Sequence, residues 1–368
     1  MSPTSTPGKP ARVATPAVRL RTRRWWLKVH RWLGLSLGIV LLVAAATGSA
    51  MLMADPLDKA LNAPLFRAPN ASEVDYPAVV TRLKANTGPG ASLTLRPPRS
   101  EGESLQANVR GGWSGTIFMD PATGEVLGRR AESGTVVGFL FTLHSSLLGG
   151  ETGKAVLTLA AFAYVLMLVS GIYLWWPVRW SQAFTIRWTA SRLRTWFDWH
   201  RVTGAVLGML VLISVVSGAY MAWPPLAQSV TKLSGASLAS PPAVVGGPPQ
   251  AEAIGRAVDM ASTAFPQAMV GYVQVPAKAH QPIRVRLRLP DDPHPNGLTS
   301  VWLHPDTTQI LQINRWSELD PGTRAYAYIY PLHTGELWGW VWTVLTFFIG
   351  IALSAYAITG LWLWWRRR

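Results

Sequence analysis

Four apolar runs limit what this chain can become. Residues 32–54, 155–176, 202–223 and 340–365 are each about twenty residues long and nearly free of charge. A helix needs about twenty such residues to cross roughly 30 Å of hydrocarbon. Tryptophans crowd the ends of these runs, among them Trp25, Trp26, Trp32, Trp175, Trp176, Trp196, Trp199, Trp223, Trp364 and Trp365. Such a belt marks the boundary between lipid and water. The expectation is a membrane α-helical protein whose four transmembrane helices sit in a lipid bilayer.

The charges orient those helices. Residues 1–54 carry eight Lys or Arg and no acid, residues 177–201 carry five Arg against Asp198, and the chain ends in Arg366, Arg367 and Arg368. These three segments together account for the net charge of +15. The long segments 55–143 and 224–332 are nearly balanced, with nine basic and nine acidic residues in the first and eight and seven in the second. Basic flanks stay in the cytoplasm. Both termini and the 177–199 loop are therefore expected to be cytoplasmic, and the two long segments outside. The positive charge is a topology signal, so nucleic acid is not an expected partner. The first apolar run follows a basic stretch, as a signal peptide does. It is longer than a signal core and its pattern recurs, so it reads as a retained helix. Residues 1–18, rich in Pro, Ser and Thr, read as a disordered tail.

The chain repeats itself. The pattern His-Arg-x-x-Gly-x-x-x-Gly occurs as His30, Arg31, Gly34, Gly38 and again as His200, Arg201, Gly204, Gly208. Gly48 follows His30 by eighteen positions, as Gly218 follows His200. His144 precedes Gly171 by twenty-seven positions, as His333 precedes Gly360. Ordered coincidences at unchanged spacing point to two parallel internal repeats. The expected divisions are a tail (1–18), helices at 19–54 and 200–223, outer histidine segments with helices at 144–176 and 333–368, a cytoplasmic loop (177–199) and outside inserts at 55–143 and 224–332.

Each insert carries a short amphipathic helix, "YPAVVTRLKANTG" or "AEAIGRAVDMASTAFPQA". Alternating stretches follow, "SLTLRP", "LQANVR" and "GTIFMD" in the first insert, "VGYVQVP", "IRVRLRLP" and "TSVWLHP" in the second. Period-two alternation is the mark of half-buried antiparallel strands. Two small α+β modules are expected. "DPATGEVL" closes the first with a turn, and "HPDTTQIL" is its counterpart.

Seven histidines are present and cysteine is absent. Thiolate iron–sulfur clusters and covalently attached haem c are therefore excluded. His280, His294 and His304 lie in the second insert and read as exposed loop or strand residues. The other four pair across the repeats: His30 with His200 at the inner end, His144 with His333 at the outer end. Each pair can offer two axial imidazoles to a haem b, giving two bis-histidine haems. Glycine at 34, 48, 204 and 218 would let a flat macrocycle approach the backbone. Arg31 and Arg201 could pair with propionates. Gly-x-x-x-Gly is equally the signature of close helix packing. Glu151, Lys154 and Glu336 read as surface charges, as does the Arg284, Arg286, Arg288 strand face.

The four helices, with the histidines in "VHRWLGLSLG", "TLHSSLLGG", "WHRVTGAVLG" and "PLHTGELWG" and the turn "DPATGEVL", resemble the PepSY-associated transmembrane family over roughly residues 20–368. The resemblance implies two PepSY-like modules in the periplasm and a bacterial inner (cytoplasmic) membrane location. It implies haem ligation by His30, His200, His144 and His333. It also implies an iron-regulated role, with reduction of a ferric siderophore that releases iron. The second insert departs from the family's closing turn, with His304 for Asp and Thr308 for Gly. No Gly-x-Gly-x-x-Gly follows a strand, so the electron donor is expected to be external, a quinol or a separate reductase. Alternatives are a non-enzymatic PepSY membrane protein that restrains proteases or aids assembly, and a transporter. Against the last, the membrane interior lacks ionisable residues along a path.

Overall fold

The computed structural model describes residues 16–68, 73–88, 90–132, 134–189 and 191–367, with side chains from residue 20 onward. The tail expected at 1–18 lies outside the described residues as far as residue 15, and the first helix already begins at Pro16. The helices are α1 (Pro16–Leu61), α2 (Ala63–Phe66), α3 (Tyr76–Thr87), α4 (Val136–Ser146), α5 (Gly150–Trp175), α6 (Arg192–Ala222), α7 (Pro224–Leu233), α8 (Ala251–Ala264), α9 (Pro321–Thr334) and α10 (Trp340–Trp365). The strands are β1 (Ser92–Arg96), β2 (Leu105–Arg110), β3 (Gly115–Met119), β4 (Val126–Ala131), β5 (Met269–Val275), β6 (Ile283–Arg288), β7 (Thr299–Leu303) and β8 (Ile310–Asn314).

Helices α1, α5, α6 and α10 are long and apolar enough to cross a membrane. They form a ring in which α1 touches α5 and α10, and α6 touches the same two. Helices α1 and α6 therefore face each other across the bundle. Leu41, Ala45, Ala160, Tyr164, Val211, Ile349 and Leu353 fill its middle. The 46 residues of α1 carry it beyond the bilayer, so its last turns reach the sheet. There both oxygens of Asp58 accept from the single nitrogen Nη1 of Arg130, at 2.7 and 2.9 Å.

The two inserts share one sheet. Its eight strands run in the order β4-β3-β2-β1-β5-β6-β7-β8, all antiparallel. The seam is β1 against β5, with Leu93 opposite Val275 and Leu95 opposite Val273. The two expected α+β modules are thus joined edge to edge, and β4 and β8 are strands that alternation alone did not reveal. One sheet face is apolar: Leu93, Leu95, Val109, Val273, Val285 and Val301 are buried beneath α3 and α8. Those helices lie side by side, Gly255 resting on Pro77. Asp75 caps α3 by accepting from Ala78 N, and Asp320 caps α9 from Thr323 N. The other sheet face is polar and turned toward the helix ends, where Arg130 of β4 meets α1.

Short helices connect sheet to bundle. Helix α4 packs on α1 and α5, and α9 packs on α6 and α7. These carry His144 and His333, so the outer histidines sit on helices of their own, ahead of the membrane spans.

Candidate functional site

Two pairs of imidazoles meet inside the bundle. The rings of His30 and His200 have centroids 6.4 Å apart and planes at 87°. Those of His144 and His333 lie 5.9 Å apart with planes at 33°. Each pair spans the α1–α6 diagonal, the first directly and the second through α4 and α9.

Each ring is fixed through its Nδ1. His30 Nδ1 donates to Met167 O at 3.1 Å and Ser170 Oγ at 2.9 Å. His200 Nδ1 donates to Thr359 Oγ1 at 2.8 Å. That hydroxyl gives its own hydrogen to Ala355 O, so its oxygen can only accept from the imidazole. His144 Nδ1 donates to Ala44 O at 2.8 Å, with Thr47 Oγ1 at 3.5 Å. His333 Nδ1 donates to Ser214 O at 3.0 Å, with Ser217 Oγ at 3.1 Å. Nδ1 therefore carries the proton in all four, and Nε2 keeps its lone pair for a ligand.

Glycine follows each hydroxyl. The doublets are Thr47-Gly48, Ser170-Gly171, Ser217-Gly218 and Thr359-Gly360, one per membrane helix. A methyl at Gly48 would stand 2.8 Å from His144 Cε1, and one at Gly218 would stand 2.7 Å from His333 Cε1. At Gly171 and Gly360 the corresponding distances to His30 and His200 are 3.4 and 3.6 Å. The hydroxyl bonds the nitrogen and the glycine makes room for the ring edge. Sequence spacing found the glycines; the adjoining Ser or Thr, visible in the same doublets, was missed.

Gly48 and Gly218, expected to let a macrocycle approach, each have an imidazole as the nearest side chain. Gly34 and Gly204 lie one turn into the membrane from His30 and His200, on the same helix faces. A methyl at Gly34 would meet only Met167 Cε, at 3.6 Å, and one at Gly204 nothing within 4 Å. Arg31 is exposed. Arg201 is held elsewhere, 3.9 Å from buried Asp198 and bonded to Thr185 O of the neighbouring loop.

The family model for the PepSY-associated TM region matches residues 27–367. The chain belongs to the PepSY-associated transmembrane family. No curated protein matches it. It is a multi-pass membrane protein, and its antiparallel sheet covered by two helices fits the PepSY-like part of the family.

In this family member the departures at the second closing turn are conservative in geometry. Asp120 Oδ1 accepts from Ala122 N and Thr123 N; His304 Nδ1 accepts from Asp306 N and Thr307 N. Gly124 and Thr308 both take positive φ, 69° and 58°. His280 is exposed, as expected. His294 is buried, 2% exposed, against the Tyr330 ring at 4.4 Å, which corrects its reading as an exposed turn residue. Burial and neighbouring guanidiniums hold its pKa down to about 3. Glu151 and Lys154 form a surface ion pair at 2.7 Å, and Glu336 is exposed. Arg284 and Arg286 are largely buried, not a solvated face. Arg284 donates to Ser300 Oγ, lies 4.8 Å over the Trp302 ring, and is pushed down to about 10 by burial.

Proposed function

We propose that the protein is a dihaem b electron conduit of a bacterial inner membrane. It passes electrons from a cytoplasmic-side donor or the quinol pool to a periplasmic acceptor, a ferric siderophore or similar chelate. In this reading the termini are cytoplasmic, the sheet is periplasmic, and the halves are parallel internal repeats. The sheet order, symmetric about the β1–β5 seam, supports that last point.

The observation that carries the reading is the two facing imidazole pairs. Metal–imidazole bonds run about 2.0–2.1 Å, and an imidazole nitrogen lies about 1.1 Å from its ring centre, so two rings on one metal stand roughly 6.2 Å apart. The observed 6.4 and 5.9 Å agree with that separation. Among the described residues no three His, Asp or Glu side chains converge as ligands for a bare ion. Two imidazoles complete a metal only if something else supplies the remaining ligands, as a porphyrin does. Gly34 and Gly204, one turn from the inner pair, leave the backbone there without side chains, which supports a flat group beside it. Bound haem would supply a one-electron carrier at each level.

The chain's own residues then do three things. Nδ1–H bonds to carbonyl and hydroxyl oxygens fix each ring's tautomer and raise its basicity as a ligand. The glycine contacts set the height of each ring. Apolar packing around Leu41, Tyr164, Val211 and Leu353 keeps water out between the levels. His30 and Gly48 are eighteen residues apart on α1, so the two levels are separated by about 27 Å of helix rise. Reduction of an acceptor's iron to Fe(II) weakens hard-oxygen chelation and frees it.

In proteoliposomes with a quinol on one side and ferric citrate with ferrozine on the other, the full chain should form the coloured Fe(II) complex. The two pairs act in series, so His30→Ala and His144→Ala should each abolish it. Full colour formation by either variant would overturn the reading.

A further inference from the structure

The polar face of the sheet holds a cluster that the histidine pairs do not use. At the β1–β5 seam, Arg96 Nη2 donates to Tyr272 Oη at 2.6 Å, its guanidinium 4.9 Å over that ring. Arg286 of β6 lies 5.6 Å from the same ring on its other neighbour strand. Its Nε donates to Gly297 O, while its Nη2 is buried without a partner. Helix α9 closes the cluster with Tyr326 and Tyr330, both packed on buried His294. Arg99 stands at the rim, bonded to Asn296 Oδ1.

The charges do not balance. Asp292 is the acid beside Arg286 and Arg288, but its oxygens accept from His294 N and Leu298 N. A buried guanidinium with a free N–H is costly unless an oxyanion completes it. The guanidinium fork suits a carboxylate, and the phenols add neutral donors. The place is also informative. Tyr326 and Tyr330 sit seven and three residues before His333 on the same helix, so a ligand here lies over the outer pair.

We propose that Arg96, Arg286, Tyr272 and Tyr330 form a binding site for carboxylate oxygens. Two sources share that chemistry: the propionates of an outer haem, and an anionic ferric chelate awaiting electrons. The second source rests on the function proposed above; the first rests on its haem alone.

The test uses the full-length protein in detergent and a redox-inert probe, Ga(III)–citrate. In haem-free protein, wild type should bind the probe, followed by calorimetry. Arg286→Gln and the more exposed Arg96→Gln should each weaken binding by roughly tenfold or more, the scale of a lost charge-assisted pair. Arg82→Gln, on α3, should change nothing. That outcome supports the chelate source even if the protein never takes up haem. If the probe does not bind, but both variants shift the outer haem's midpoint potential and speed haem loss while Arg82→Gln does not, the carboxylates are the propionates. If neither variant moves either readout, the site is refuted, whatever becomes of the redox reading.

Discussion

His30 and His200 belong to the membrane-spanning helices themselves, whereas His144 and His333 hang from the short helices α4 and α9. The inner rings stand nearly perpendicular, at 87°, and rest loosely on Gly171 and Gly360. The outer rings are closer to parallel, at 33°, and press on Gly48 and Gly218. The difference follows from what must be positioned. A histidine on a long helix inherits its place from the packing of the bundle. One on a short helix needs a local seat, and the tight glycine contact against α1 or α6 provides it. The outer pair should therefore be the more fragile to small changes in its seat.

The strongest way to break this comparison is to remove a ligand. His144→Ala or His333→Ala should cost one of two haems, so that haem absorbance per protein falls by about half and the remaining half keeps inner-pair character. Equal loss of both would show that the levels do not form independently.

Adding one methyl sharpens it. Gly48→Ala or Gly218→Ala puts Cβ within 2.8 Å of an imidazole carbon and should displace the outer ring, releasing that haem. Gly171→Ala and Gly360→Ala, at 3.4 and 3.6 Å, should leave the absorption spectrum close to wild type. A reversed order of sensitivity would contradict the assignment of the tighter seat to the outer pair.

The hydroxyls test the inner pair against itself. His200 Nδ1 has Thr359 as its acceptor, while His30 Nδ1 has both Ser170 and Met167 O. Thr359→Val should loosen haem retention roughly tenfold, the low end for a lost outer hydrogen bond to a ligand. Ser170→Ala should do less, and haem transfer to apomyoglobin measures both.

The smallest effect lies in the sheet. His294 has its pKa lowered to about 3, below the ordinary value of 6.5. The unfolded chain therefore binds more protons between those values, and stability rises with pH across that window. It is fully present above about pH 6.5 and is lost as pH falls toward 3. Thermal melting of His294→Gln should show a shallower acid dependence than wild type over the same range.

Much of this architecture was legible in the chain. The apolar runs give the four spanning helices because hydrocarbon leaves a backbone few other options. Repeated spacing gave the histidine pairs, since positions unchanged in two halves land at one level. The seats of the outer rings were not legible: that Gly48 touches His144 depends on α4 folding back against α1. The single sheet depends on β1 meeting β5 across some 180 residues of chain, which no local pattern encodes. Strand β4, "VLGRRA", is an edge whose arginines mask its alternation. His294 lies in "DDPHPNG", a turn by composition, and is buried only because α9 lays two tyrosines on it.

The central claim is that each facing imidazole pair holds one haem, and it is met most directly by the full chain purified from cells supplied with haem. Haem quantitation with electron paramagnetic resonance of the oxidised protein should give about two haems per chain, both low-spin. The near-perpendicular inner rings should give the more anisotropic of two distinct signals. A chain that stays colourless after haem reconstitution, or carries only high-spin iron, would contradict it.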